Sequence, residues 1–178
     1  MISQDIGRYT GNKNSLKRLQ VILFHPGCRF MLMHRLCNRF SSLHPVGFLA
    51  RLWHKRLKVK FGFQIPHTVS IKAGFFLGHY GGIVINQRTR IGRNCNVAQG
   101  VTIGQVNRGE KQGYPTLGDR VWVGANSVIV GNIMIGNDVL IAPLTFVNFD
   151  VPDKAVVIGN PAKIVSHEGS AGYINNLV

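Results

Sequence analysis

Aliphatic residues recur every six positions at Leu117, Val123, Ile129, Ile135, Ile141 and Val147, and no other feature of this chain constrains its fold so tightly. The same spacing runs upstream through Ile65, Ile71 and Leu77, then through Ile85, Ile91, Val97 and Ile103. Two extra residues separate Leu77 from Ile85, and a longer insertion separates Ile103 from Leu117. A period of six matches neither the helical repeat nor strand alternation carried around a hairpin. It matches a triangular coil in which each hexapeptide forms one flat side and one corner. Three hexapeptides then complete a turn of about 18 residues, and the aliphatic side chains stack inside. At about 4.8 Å per stacked strand, this ladder predicts about four coils and a prism about 20 Å tall. The small residue that often follows the aliphatic, as in Leu117-Gly118, Val123-Gly124, Ile135-Gly136 and Ile141-Ala142, is expected near a corner, where bulk or a negative φ is a handicap.

The flanks read differently. Three helices are expected before the prism, around Leu16–Leu23, over Phe30–Phe40 after the Pro26-Gly27 break, and over Val46–Lys58 after Pro45. The expected organisation is a basic helical segment over 1–60, a β-helix domain over 61–165 interrupted by a loop at 105–116, and a loose polar tail over 166–178.

The net charge of +14 is unevenly placed: residues 1–60 carry 12 of the 21 Lys and Arg and a single acid, Asp5. Such a surface attracts phosphate groups, whether in nucleic acid, on an anionic membrane or in a small polyanion. No apolar run approaches the roughly 20 residues of a membrane span. The N-terminus does not read as an export signal, so a cytoplasmic protein is expected, with peripheral contact at the inner face of the membrane as a further possibility. Cys28, Cys37 and Cys95 have neither metal-type spacing nor an even number, and buried free thiols are expected.

The motifs on this ladder resemble those of the serine O-acetyltransferases and their relatives that acetylate bacterial surface polysaccharides. The segments concerned are His25-Pro26-Gly27 followed by His34-Arg35, His79-Tyr80-Gly81-Gly82-Ile83-Val84-Ile85, Gln99-Gly100-Val101-Thr102-Ile103-Gly104 and Gly159-Asn160-Pro161-Ala162-Lys163-Ile164. The resemblance implies a left-handed parallel β-helix, assembly as a homotrimer or a pair of trimers, and acetyl-CoA as donor. It departs at two places. Serine acetyltransferases carry Asp just before the histidine matching His79, where this chain has Gly78, and a second catalytic histidine before a proline, where this chain has Tyr114-Pro115. Those departures point towards the polysaccharide-directed relatives, similar to the colanic acid acyltransferases. A sugar hydroxyl is therefore the expected acceptor, with serine as the alternative.

Acetyl transfer to a hydroxyl needs a base for the proton and a donor for the oxyanion. His79, in the two-residue expansion of the ladder, is the expected base, a task that suits a neutral imidazole. No Ser or Cys adjoins it in sequence to suggest a covalent intermediate. His67 is expected to decorate the surface. Gly124, Ala125 and Ala142, with Gly104, are expected to let the pantetheine arm approach the backbone, and the resemblance places Lys163 at the nucleotide phosphates. The polar loop is expected to be functional. By the resemblance it walls the site of an adjacent subunit, so Arg108, Lys111 and Tyr114 are expected to touch acceptor or CoA; Asn86 is also expected at the acceptor.

Three other readings compete. The basic, apolar helices suit an anionic membrane surface. Nucleic-acid binding rests on charge alone and lacks a reading module, so no nucleic-acid partner is expected. A γ-class carbonic anhydrase shares the repeat but needs converging histidines, whereas only His67 and His79 lie on the ladder; no metal is expected.

Overall fold

A computed structural model describes residues 1–11 and 14–178; Lys13, one of the twelve basic residues counted above, lies outside them. Among the described residues no helix is long and apolar enough to cross a membrane.

The ladder coils into a three-faced parallel β-helix. Its first face stacks Phe63–Gln64, Ile83–Ile85, Thr102–Gly104, Val128–Val130 and Phe146–Val147. The second stacks Ser70–Ile71, Arg90–Ile91, Thr116–Leu117 and Met134–Ile135, extended by a parallel bridge from Ile135 to Val151. The third stacks Phe76–Leu77, Asn96–Val97, Trp122–Val123, Leu140–Ile141 and Val156–Ile158, closed by antiparallel Lys163–Ser166. Every hexapeptide aliphatic points inward, and the register is the one the period requires: Ile71 opposite Ile91, Leu77 opposite Val97, Ile103 opposite Ile129.

The coil count differs from the expected four. Val151 opposite Ile135 and Val157 opposite Ile141 complete a fifth coil. Only four positions separate Val147 from Val151, so a shortened side hid the last coil from a search at period six. A second inward row lies two residues before the first and includes Val69, Phe75, Cys95, Val101, Val121 and Val139, all buried. The three cysteines are free and buried, as expected.

The corners follow a different rule from the one expected. The left-handed residue stands three positions after the aliphatic, and it is often not glycine: Asn94 (φ 56°), Arg120 (φ 55°), Asn126 (φ 58°), Asp138 (φ 57°) and Leu144 (φ 61°). The glycine directly after the aliphatic is needed for closeness between coils. A Cβ on Gly92 would lie 2.2 Å from the Gly118 carbonyl oxygen, and one on Gly124 would lie 2.5 Å from the Pro143 nitrogen.

Four helices precede the prism: α1 (Ile2–Thr10), α2 (Ser15–Phe24), α3 (Pro26–Arg39) and α4 (Pro45–Phe61). Proline opens both α3 and α4, and Gly62, left-handed at φ 67°, ends α4. Phe30 and Met31 of α3 and Leu57 of α4 join Phe63 in the core, so these helices cap the first coil. The sequence reading missed α1, which is fixed by buried charge. Asp5 accepts from Arg35 Nε (2.7 Å) and from the Gly74 backbone (2.7 Å), and Arg8 Nε donates to the Gly74 carbonyl (3.1 Å).

The last residues are not the loose tail expected from their polarity. Ser170 Oγ donates to the Arg120 carbonyl (2.7 Å), Tyr173 packs against Trp122 with ring centres 5.1 Å apart and the rings tilted, and Arg8 Nη1 donates to the Asn175 carbonyl (2.6 Å). The Val178 backbone is held at both its oxygen and its nitrogen by Asn94 (2.9 and 3.1 Å). Polar side chains at the corners supply the partners for this segment's backbone, which is why its low hydrophobicity does not leave it free.

Candidate active site

The third face turns into the first at an edge built of stacked turns. There Gly100 N donates to the Gly81 carbonyl (2.9 Å), Asn126 N to Gln99 (3.0 Å), Leu144 N to Ala125 (2.9 Å) and Phe146 N to Gly159 (3.0 Å). Exposed His79 sits at the top of this edge, just past Leu77. Gly124, Ala125 and Ala142 lie below it, and exposed Lys163 follows the chain reversal at the bottom. From the coil of Leu77 to that of Val157 there are four steps of parallel pairing, a span of about 19 Å at the usual strand spacing. Four residues expected at the donor, together with the expected base, thus share one straight edge.

Gly104 does not belong to that group. It pairs with Val130 at the edge where the first face turns into the second, next to the residues expected at the acceptor. Asn86 Nδ2 donates to Gln105 Oε1 (3.1 Å), and the Arg88 guanidinium lies 5.8 Å from the centre of the Tyr114 ring. The inserted segment is a hairpin closed by an antiparallel bridge between Val106 and Gly113. It folds back on its own chain: Asn132 N donates to the Lys111 carbonyl (2.9 Å), and Lys111 Nζ pairs with Asp150 (3.1 Å). Arg108 is exposed at its tip, and Tyr114 is half-buried at its base. Asn86, Gly104, Arg108 and Tyr114 therefore come together, but at a different corner of the prism from His79.

Beside His79 a cleft of about 450 Å³ opens over the outer side of the third face, lined in part by Arg8, Tyr9, His25, Phe76, Asn96 and Trp122. The Tyr9 hydroxyl accepts from Leu77 N (3.1 Å) and lies 3.4 Å from its carbonyl, fixing the backbone two residues before His79. Burial, reinforced by the charge His79 would carry, holds the His25 imidazole below its usual range, and its Nδ1 is buried with no hydrogen-bond partner among the described residues. Gly78 is tied to Phe76: a Cβ at position 78 would stand 2.8 Å from the Phe76 ring. A carboxylate at 78 and the present Phe76 rotamer compete for the same space.

The cleft has no acidic lining residue. The chain has seven acids in all, and most are engaged elsewhere. Asp5 pairs with Arg35 and Asp138 with Arg120 (2.6 Å). Asp119 and Asp153 accept from the backbones of Arg93 and Asn137 (2.7 Å each), and Asp150 accepts from Met134 N (2.8 Å). Glu110 stands on the hairpin and Glu168 in the final segment.

The sequence reading did not find Arg8, Tyr9, Trp122 or Tyr173 at the site. His25 was visible only as part of its His-Pro-Gly segment. His67 lies away from the cleft, its carbonyl accepting from Asn38 and its ring 6.1 Å from that of His54. Among the described residues no group of His, Cys, Asp and Glu could hold a metal ion.

Comparison with known proteins agrees with this architecture. Residues 114–148 match the family described as bacterial transferase hexapeptide (six repeats). The chain is 32% identical to a serine acetyltransferase of Helicobacter pylori over 151 residues, 84% of this chain and 86% of that protein. It is also 32% identical to a serine acetyltransferase of Synechococcus elongatus, over 85% of this chain and 62% of that protein. Among solved structures, the Neisseria gonorrhoeae serine acetyltransferase in complex with serine superposes with a TM-score of 0.75 at 30% identity, covering 93% of this chain and 67% of that one. The soybean serine acetyltransferase complexed with serine superposes with a TM-score of 0.75 at 27% identity, covering 92% of this chain and 68% of that one.

Proposed function

The chain belongs to the serine acetyltransferase family and is as such an acetyl-CoA-dependent O-acetyltransferase; from that premise we propose that His79 is its general base and that its acceptor is the hydroxyl of a neutral sugar. The relatives' names support acetyl transfer to a hydroxyl-bearing acceptor. The stacked edge from His79 to Lys163 supports a path for the donor, with Lys163 at the nucleotide phosphates, Gly124, Ala125 and Ala142 along the arm, and the thioester at His79.

In the reaction His79 takes the proton of the acceptor hydroxyl as its oxygen attacks the thioester carbonyl. The tetrahedral oxyanion collapses, the carbon–sulfur bond breaks, and the CoA thiolate leaves with the proton returned by the imidazolium. The product is an acetyl ester plus CoA, and no group on the enzyme is acetylated.

The absence of any carboxylate in the cleft carries the choice of acceptor. Serine presents an ammonium and a carboxylate with its hydroxyl, and an ammonium taken out of water needs a paired anion. A sugar carries only hydroxyls and needs no paired anion in the site. Arg108, Tyr114 and Asn86 reach His79 only if a second copy presents its own hairpin edge, and this supports a site shared between subunits of a trimer.

Serine is the second reading, favoured by the relatives' names. Its specific support in this chain is Glu110, which a neighbouring hairpin would bring as the missing anion. The test is CoA release from acetyl-CoA with L-serine and a panel of free and nucleotide-linked sugars compared side by side. The proposal expects turnover on a sugar and only background on serine. Faster turnover on serine, lost in Glu110→Gln, overturns it in favour of the second reading.

A further inference from the structure

Among the described residues nothing covers an apolar surface on helices α2 and α4. On α2, Leu16, Leu19 and Leu23 follow helical spacing along one face, and each is more than half exposed. On α4, Phe48, Leu49, Leu52 and Trp53 are each 50–55% exposed, opposite the buried Gly47, Ala50, His54 and Leu57. The two helices do not touch, and α3 lies between them. Ile22 of α2 and Trp53 of α4 flank one groove of about 160 Å³, floored by Leu32 and Met33 of α3.

The charge on this surface has one sign. No Asp or Glu occurs between Asp5 and Glu110, so none of α2, α3 and α4 carries an acid. Exposed Lys55 and Arg56 follow Leu52 by three and four residues, which places them beside the apolar stripe. Arg29 lines the groove itself.

This pattern restricts the occupant. A second copy pairing through the same face would set basic helices against basic helices with no acid on either side, a repulsive contact. The complementary partner is both anionic and apolar. A lipid surface with acidic headgroups meets both requirements at once: Leu, Phe and Trp side chains enter the acyl boundary, while Lys and Arg stems lie along it with their charges at the phosphates.

We propose that the α2–α4 face is a docking surface for an anionic membrane, which holds the protein peripherally. The proposal does not depend on the identity of the acceptor.

The test is flotation of the full-length protein with phosphatidylcholine vesicles, and with vesicles of phosphatidylcholine mixed with phosphatidylglycerol, at low and high salt. Binding to the mixed vesicles at low salt, weakened by salt, is the expected result. Electrostatic attraction near such a surface amounts to roughly fivefold in affinity per basic side chain, so K55Q/R56Q lowers binding about 25-fold. L52S/W53S abolishes insertion, and both variants keep the wild-type helical melting because all four side chains are exposed. Absence of flotation overturns the proposal, as does equal binding to both vesicle types or binding indifferent to K55Q/R56Q. Two further outcomes overturn it by naming another occupant. One is capture by polyglutamate without vesicle binding, which indicates an acidic protein; the other is a larger species that L52S/W53S dissociates, which indicates a second copy.

Discussion

Replacing Asp5 by alanine isolates the contact that ties α1 to the prism and, through it, to the cleft. The Asp5 and Arg35 side chains are 3% and 5% exposed and meet at 2.7 Å. Arg35 also donates to the carbonyls of Ile71 and Lys72 (2.7 Å for Lys72), so Asp5→Ala leaves a guanidinium buried against two carbonyls with no anion nearby. Removing one partner of a buried pair costs about 3–5 kcal/mol, and the Gly74 N–H that Asp5 accepts from (2.7 Å) is orphaned as well. Asp5→Asn keeps an acceptor for Gly74, so its cost should be smaller. Replacing Arg35 too cannot restore the wild type, because the two carbonyls then lose their donor. Urea unfolding gives the magnitude, and amide hydrogen exchange over 1–11 gives the place. The expected result is a loss of several kcal/mol with α1 amides exchanging first, together with a drop in kcat/KM because Arg8 and Tyr9 leave the cleft. A loss below about 1 kcal/mol, the range of an exposed pair, with α1 still protected, would refute the reasoning.

Four other outcomes follow from the same geometry. Burial holds His34 at a pKa of about 3 and His54 at about 4, below the unfolded value of about 6.5. As pH falls below that value, the unfolded chain takes protons that the folded one refuses, so stability declines by up to about 1.4 kcal/mol per pH unit for each histidine. Equilibrium unfolding between neutral pH and pH 4 should show this slope, and His54→Phe should reduce it. Lys163→Ala, at an exposed position, should raise KM for acetyl-CoA roughly tenfold, the scale of one lost charge-assisted contact, while leaving kcat and thermal stability unchanged in steady-state assays and melting. Gly92→Ala should lower Tm sharply, because its Cβ would fall 2.2 Å from a backbone oxygen. Lys111→Ala, which leaves Asp150 its bond from Met134 N, should move the melting midpoint little, because the Lys111 and Asp150 side chains of this ion pair are 46% and 62% exposed.

The β-helix was legible because its repeat is a one-dimensional signal: each hexapeptide meets the same neighbours, so periodicity alone fixes the interior. Legibility failed where the period broke. Val151 follows Val147 by four residues instead of six, and the coil it completes went uncounted. Helix α1 was missed because its docking depends on Asp5 meeting Arg35 and Gly74, a pairing across 30 and 69 residues that no local pattern announces. The final segment was misread for the same reason: its partners are Asn94, Arg120 and Asp138, distant polar corners, and not an apolar stripe of its own. The hand of the coil came from the resemblance and not from the spacing. Of the candidate site, His79 and Lys163 were named from the resemblance and Gly124, Ala125 and Ala142 from their small size, and the fold sets all five along one corner of successive coils. Gly104, three residues after Val101 on a different face, does not share that corner. Arg8, Tyr9 and Trp122 came to the cleft through tertiary packing that the repeat does not encode.

The central claim is that His79 takes the proton in a direct transfer from acetyl-CoA. It is tested most directly by CoA release with the accepted substrate, comparing wild type with His79→Ala. A positioned base contributes about 10²–10⁴ in rate, so the account predicts a fall of that size in kcat at unchanged fold and little change in acetyl-CoA KM. A variant that turns over as fast as wild type would contradict it and place the base elsewhere in the cleft.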